Sequence, residues 1–138
     1  MTIARTAPPH TFAPLVYLDD FAPYSPPLHH GTVNRRIFPA DLGAGVEVIH
    51  GTLAPGGSAD LHAHPQEWQM IFLLEGTGLL VLGDGEGEAV GPGAVVRLRP
   101  GTPHRFSVTG DSPAKVIVLY SPPLGPDSFL RLGDDDGA

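Results

Sequence analysis

Short apolar segments recur through the middle of the chain, and each is bounded by glycine, proline or aspartate. Six of them, rich in β-branched and aliphatic residues, cover positions 46–50, 69–74, 78–82, 95–98, 106–108 and 115–120. Turn-forming sequences such as Ala54-Pro-Gly-Gly-Ser and Gly83-Asp-Gly-Glu-Gly separate them. No segment of more than about ten residues repeats apolar positions every 3.6 residues without containing a glycine or a proline. The pattern predicts an all-β sandwich or barrel with little helix.

The two ends of the chain differ from this middle. Residues 1–40 are rich in proline with aromatics between, which predicts an arm that packs on the barrel, because proline lacks the N–H that a central strand needs. Residues 41–124 are predicted to form the barrel. Residues 125–138, which end in an aspartate run, are predicted to form an acidic C-terminal tail.

Composition narrows the class of protein. The 138 residues are 41% hydrophobic and only 17% charged, which fits one globular domain with a single core. A net charge of −7 with eight Lys and Arg opposes binding to nucleic acid. The chain has no cysteine, its start lacks the apolar core of a signal peptide, and no apolar run approaches the roughly 18 residues of a membrane helix. We therefore expect a cytoplasmic protein without a membrane segment.

Two histidines, His62 and His64, precede the apolar segment 69–74. Residues two apart in a strand point to the same face, with Cα atoms roughly 6.5 to 7 Å apart. Both imidazoles can therefore enter one cavity and hold a metal ion. His104, which follows the proline-containing turn 99–103, is the candidate for a third ligand. Taken alone, a His-x-His pair is more often part of a polar surface stripe than a ligand pair.

The residues around the first two histidines resemble the first motif of the cupin superfamily. That motif has a glycine, a His-x-His pair, a glutamate and a second glycine at fixed spacing. Its glycines and histidines are matched here by Gly56, His62, His64 and Gly76. Gln69 occupies the position of the glutamate.

The second cupin motif, in which a glycine precedes Pro-x-Gly-x-x-His and a final asparagine, is matched by Gly93, Gly101 and His104. Arg99 stands at the usual proline and Val108 at the usual asparagine. Two motifs in the expected order form a specific signal. The resemblance implies a jelly-roll barrel, also called a double-stranded β-helix.

This resemblance also implies one divalent metal ion inside the barrel, with Zn, Ni or Fe all compatible with imidazole ligands. His62, His64 and His104 are the implied protein ligands, together with a fourth group. We predict that Oε1 of Gln69 is this fourth ligand.

Two further side chains are candidate catalytic groups. Glu67 shares a strand face with Gln69, so we predict that it stands near the mouth of the pocket as a general base or as an orienter of a ligand histidine. A solvated rim residue is the alternative. His50 alternates with Val46 and Val48 and could enter the barrel as a ligand or proton shuttle, or lie on the surface.

Histidine and glutamine are neutral donors, so an ion held by them keeps its full positive charge, which favours Lewis-acid chemistry. The resulting hypothesis is a metal-dependent cyclase, isomerase or lyase that acts on a small organic substrate, similar to the cupin polyketide cyclases. One alternative is an Fe-, Ni- or Cu-dependent dioxygenase with Glu67 as the acidic ligand. The other alternative is a non-catalytic cupin that binds a small molecule.

The strand face opposite Glu67 and Gln69 carries four large apolar residues, Trp68, Met70, Phe72 and Leu74. An exposed row of this size requires a cover. We expect a homodimer through this face, and the chain's own N-terminal arm is the alternative cover.

Overall fold

The computed structural model describes residues 12–132. Nine strands follow one another in this range: β1 (His29–Phe38), β2 (Glu47–Ala63), β3 (Trp68–Glu75), β4 (Gly78–Leu82), β5 (Glu88–Val90), β6 (Val95–Leu98), β7 (His104–Val108), β8 (Ala114–Ser121) and β9 (Leu130–Arg131). Helix in the described range is limited to single 3-10 turns at Leu18–Asp20 and Ala40–Leu42. The predicted all-β class is confirmed, and no described helix is long and apolar enough to cross a membrane.

The long strand β2 joins the two layers of the barrel. Its first half pairs with β8, from Glu47 opposite Tyr120 to Leu53 opposite Ala114. Its second half pairs with β7, and the strand order across the whole sheet is β5-β4-β7-β2-β8-β3-β6. All of these pairs are antiparallel. A sheet that curls on itself in this way is the predicted double-stranded β-helix.

The sequence Ala54-Pro-Gly-Gly-Ser, interpreted above as a turn, lies inside β2 and bends it. Gly56 has a φ of 79°, which favours glycine. A Cβ on Gly57 would lie 2.9 Å from the carbonyl oxygens of Ala54 and His30. The segment is therefore a glycine-dependent irregularity within one strand, which lets β2 pass from one layer to the other.

Both predicted end segments contribute to the sheet. β1, which lies within residues 1–40, pairs with β2 along most of its length. β9, which lies within the predicted tail, places Leu130 opposite Ala63 of β2. Residues 125–132 are thus attached to the barrel through buried Ser128 and through β9, although most of their side chains are exposed, and the aspartate run from residue 133 lies outside the described residues.

Strand β3 shows the predicted alternation. Gln69 and Leu73 are buried, whereas Trp68, Phe72 and Leu74 are exposed. The buried side joins a core cluster that consists of Leu53, Leu73, Val108, Ala114 and Val116. The inward side of β3 therefore faces the core, with Gln69 as a buried polar residue on it.

Candidate metal centre

Three histidines converge inside the barrel. His62 of β2 stands opposite His104 of β7, and their ring centroids are 4.3 Å apart. His64 follows the end of β2, with its ring centroid 4.9 Å from that of His62. One nitrogen of each ring lies within 4.8 Å of the others, and all three residues are buried. The structure therefore brings the three predicted ligands together.

The backbone fixes the orientation of each ring. Each Nδ1–H donates to a carbonyl oxygen: His62 to Asp60 at 2.6 Å, His64 to Ser128 at 2.8 Å and His104 to Thr102 at 2.9 Å. A carbonyl can only accept, so Nδ1 carries the proton and Nε2 keeps its lone pair. In this tautomer Nε2 is the nitrogen that is able to bind a metal ion, while the bonded Nδ1–H fixes the ring.

The electrostatics of the cavity keep these rings neutral. Burial lowers the pKa of His62, His64 and His104 from 6.5 to about 4. Burial is the largest cause of this lowering of the pKa, and the neighbouring imidazoles contribute to it, since two positive rings would repel each other. At neutral pH the cluster therefore presents uncharged nitrogen donors.

The donor atoms fit a divalent ion. Nε2 of His64, Nε2 of His104 and Oε1 of Gln69 are buried and have no hydrogen-bond partner among the described residues. Buried polar atoms are rarely left unpaired in folded proteins. Three imidazoles and a carbonyl oxygen are a donor set that Zn, Ni or Fe accepts.

Gln69 is held so that its oxygen is the free atom. Its Nε2 donates a hydrogen bond of 3.2 Å to the hydroxyl of Tyr120. Burial raises the pKa of Tyr120 well above its usual range, so the hydroxyl stays neutral. Gln69 lines the same cavity as His62 and His104. This position supports the prediction that Gln69 is the fourth ligand, which stays a prediction.

Glu67 is buried but does not line the cavity. Its Oε2 accepts a hydrogen bond of 2.6 Å from the hydroxyl of Ser128. The alternative of a solvated rim residue is therefore wrong, whereas the predicted role of Glu67 as a general base or as an orienter of a ligand histidine stays a prediction. Its route to a ligand histidine passes through Ser128.

His50 points away from the barrel interior. Ile49, its neighbour on β2, is 2% exposed and lines the cavity, and the two-residue period of the strand places His50 on the other face. Partial burial, followed by the charges of Lys115 and Arg35, lowers the pKa of His50. The prediction that His50 enters the site is wrong. The residues of β2 that face inward are Ile49 and the residues two positions away from it, so His50 belongs to the opposite face.

Two aromatic rings near the cluster were not among the predicted site residues. His29, on β1, lines the cavity with its ring centroid 5.7 Å from that of His62, and its Nδ1–H donates to the carbonyl of Pro27 at 2.8 Å. It therefore adds a fourth imidazole with the same tautomer. Phe129 stacks on His62 at 5.7 Å. The sequence does contain an indication of Phe129, because the apolar pair Phe129-Leu130 is unusual in a segment predicted to be an acidic tail.

Beyond the histidines and Gln69, the cavity is mostly apolar. Its volume is about 70 Å³ when counted as the space open to the centres of water-sized molecules, and about 740 Å³ when all space between the atoms and the adjoining open solvent are included. Aliphatic and aromatic side chains line most of it: Ile49, Leu53, Ile71, Leu73, Leu80, Val90, Val96, Phe106, Val116 and Val118. No lysine or arginine of the described part of the chain is among its lining residues. The cavity therefore combines a few polar side chains, among them potential metal ligands, with a lining that is mostly apolar and carries no lysine or arginine of the described residues.

Comparison with known families agrees with this architecture. The family model of the cupin domain matches residues 49–120, which is more than half of the chain. The protein therefore belongs to the cupin family.

Two relatives by sequence and one solved structure show which cupins the chain is similar to. An uncharacterized protein of Methanocaldococcus jannaschii is 30% identical over 95 residues, which cover 67% of this chain and 75% of that one. The tetracenomycin polyketide synthase protein TcmJ of Streptomyces glaucescens is 31% identical over 93 residues, or 67% of this chain and 62% of TcmJ. The match thus spans less than two thirds of TcmJ. The structure of the polyketide cyclase RemF from Streptomyces resistomycificus superimposes with a TM-score of 0.76 at 24% identity, over 91% of this chain and 89% of RemF. The chain is thus a cupin similar to polyketide cyclases.

Proposed function

We propose that this protein is a metal-dependent cyclase that closes a ring in a small, uncharged, polyketide-like carbonyl compound. The observation that carries the proposal is the lining of the cavity. His62, His104 and Gln69 line it, His64 joins the two histidines in one cluster, and most of the other lining residues are apolar, with no lysine or arginine of the described residues among them. The resemblance to TcmJ supports a polyketide-type substrate.

When a divalent ion is bound, it supplies Lewis acidity that stabilises negative charge developing on a substrate oxygen. The residues of the chain do the rest. The apolar walls bind and align the carbon skeleton and exclude water, which favours an intramolecular reaction over hydrolysis. His29 stands beside His62 with an uncharged ring, so its Nε2 is able to accept a hydrogen bond from a substrate hydroxyl.

The charge of the lining decides between substrate classes. A phosphorylated or polycarboxylate substrate usually requires lysine or arginine in the pocket. Here Arg97 and Arg99 lie on the exposed side of β6 and its following turn, where Arg99 is 5.8 Å from the ring centroid of Trp68. They are not among the residues that line the cavity. An uncharged substrate fits the cavity better.

One argument for the dioxygenase alternative is not supported by the position of Glu67. It invoked Glu67 as an acidic ligand, but the Glu67 carboxylate is hydrogen-bonded to Ser128 and is not part of the cavity wall. The neutral Gln69, by contrast, lines the cavity together with His62 and His104, which supports an uncharged fourth donor.

The test is an assay of the zinc-, nickel- or iron-loaded protein with aromatic β-dicarbonyl compounds, with and without oxygen. Ring closure joins an enol carbon to a ketone carbon and releases one water, so the product is detected by its mass. Val96→Phe, which fills the cavity, is expected to reduce turnover at least tenfold, on the order of the effect of a changed pocket contact. Val95→Phe, on the exposed side of the same strand, is the matched control.

Three results would contradict the proposal. Turnover that stops without oxygen would favour the dioxygenase. Saturable binding without product would favour a binding protein. Equal turnover by Val96→Phe and the unaltered protein would place the reaction elsewhere.

A further inference from the structure

One of the three clustered histidines is held by a distant part of the chain. His62 and His104 donate to carbonyl oxygens two residues earlier in their own segments. His64 donates to the carbonyl of Ser128, which is 64 positions later in the sequence. The orientation of His64 therefore depends on the docking of residues 125–132, which we call the C-terminal strap.

The side chain of Ser128 fixes the strap in place. Its Oγ accepts a hydrogen bond of 2.7 Å from the backbone N–H of Gly125. The same hydroxyl donates to Oε2 of Glu67 at 2.6 Å, the short distance that is typical of a hydroxyl bound to a carboxylate. Ser128 is 4% exposed and Glu67 is 6% exposed, so little water competes for these bonds.

Glu67 has no lysine or arginine within ion-pair distance among residues 12–132. A buried carboxylate destabilises the folded state unless hydrogen bonds compensate for the lost hydration. The strong bond that Glu67 receives comes from Ser128, since its other contact, from the N–H of Gln66, is 3.4 Å long. The Glu67 carboxylate therefore has its main interaction with the C-terminal strap, through the hydroxyl of Ser128.

The next residue of the strap contacts the same histidines. The ring of Phe129 stacks on His62 with an interplanar angle of 22° and meets His64 edge-on at 4.8 Å. Leu130 then pairs with Ala63, the residue between the two histidines. The strap therefore closes over the His62–His64 pair through both backbone and side-chain contacts.

We infer that Ser128 and Glu67 are positioning residues that hold Nε2 of His64 toward the ion, so that strap docking and divalent-ion binding stabilise each other. The inference rests on the metal site of the proposed function but not on any substrate. Coupling of this kind is reciprocal: the ion strengthens the docking of the strap as much as the docked strap strengthens ion binding.

The experiment uses the full-length protein and two readouts that do not involve turnover. Cobalt(II) affinity is measured from visible absorption in competition with a chelator. Hydrogen exchange of the strap amides is measured with and without zinc(II). The variants are Ser128→Ala, Ser128→Thr and Glu67→Ala, with Ser121→Ala as the control, because the Ser121 hydroxyl contacts the carbonyl of Gly45 on the exposed surface.

We expect Ser128→Ala and Glu67→Ala to lower cobalt affinity by about 10- to 100-fold, the usual effect of losing a partner of a ligand histidine. Ser128→Thr, which keeps the hydroxyl, and Ser121→Ala should stay within about twofold of the unaltered protein. Zinc should slow exchange of the Ser128 and Leu132 amides, which donate to Gly125 and Leu61. In Ser128→Ala this protection should decrease.

The inference is overturned if Ser128→Ala and Glu67→Ala bind cobalt as tightly as the unaltered protein, or if zinc leaves strap exchange unchanged. Should Ser128→Ala fail to fold by circular dichroism, Glu67→Gln provides the second test, because it keeps the side-chain volume and weakens the bond to the hydroxyl. Failure of the unaltered protein to bind any divalent ion would refute both this inference and the proposed function. Coupled ion binding without turnover would refute the proposed function alone.

Discussion

The amide of Gln69 and the hydroxyl of Tyr120 form a hydrogen bond of 3.2 Å across neighbouring strands β3 and β8. Because the amide nitrogen is used in this bond, the buried amide oxygen is left without a hydrogen-bond partner among the described residues, in a cavity that His62 and His104 also line. Tyr120 thus decides which end of Gln69 a metal ion would meet.

This relationship makes a prediction about metal affinity. Gln69→Leu removes the oxygen donor and leaves the volume similar, so we expect a loss of at least tenfold in zinc affinity by chelator competition. Tyr120→Phe removes only the orienting hydroxyl and should cost less. Gln69→Glu should retain the ion, since it restores an oxygen donor with a negative charge. Unchanged affinity in Gln69→Leu would exclude this residue as a ligand.

His104→Ala is expected to lose the tightly bound metal equivalent during dialysis against a mild chelator, because two imidazoles remain from the cluster of three. The comparison is His50→Ala, which removes an imidazole from the outward side of β2 and should leave metal content unchanged. Metal content is measured by atomic emission on proteins whose fold is verified by circular dichroism. Retention of one equivalent by His104→Ala would reject the assignment.

The stability of the metal-free protein should depend on pH through the same histidines. Their pKa in the folded state is about 4, against 6.5 for an unperturbed ring. Between these values the unfolded chain binds more protons than the folded chain, so the free energy of unfolding decreases as the pH falls from 6.5 toward 4. Urea unfolding at several pH values measures this slope, which should be shallower in His104→Ala. A stability that is constant from pH 7 to pH 5 would contradict the prediction.

The exposed face of β3 predicts the state of assembly. Trp68 is 52% exposed and Phe72 is 36% exposed, and neither the described part of the N-terminal arm nor any other described segment buries them. We therefore expect a homodimer through this face at micromolar concentrations. A mass of 14.5 kDa by light scattering, which is that of one chain, would contradict the expected dimer. Phe72→Glu should dissociate the dimer, whereas Leu79→Glu, equally exposed on β4, should not.

Local sequence was sufficient to predict the central strands β3, β4, β6, β7 and β8, the first part of β2 and most of the histidine cluster, but not β1, β5 or β9. The two-residue period of β3 placed Gln69 inside and Trp68 outside, and the His-x-His spacing placed two imidazoles side by side, because neighbouring residues in a strand alternate between faces. The position of His104 followed from the second motif and from the turn before it. These features depend on a few adjacent residues, so sequence is sufficient to predict them.

Long-range packing decided the remainder. His50 and Ile49 are both compatible with a strand, and only the pairing register of β2 shows that Ile49 faces the cavity. Ser128 lies in a proline- and glycine-rich segment that resembles a solvated tail. It meets His64 and Glu67 only because β9 docks against β2. Such contacts join residues more than sixty positions apart, and no local pattern specifies which distant carbonyl will reach a given ring.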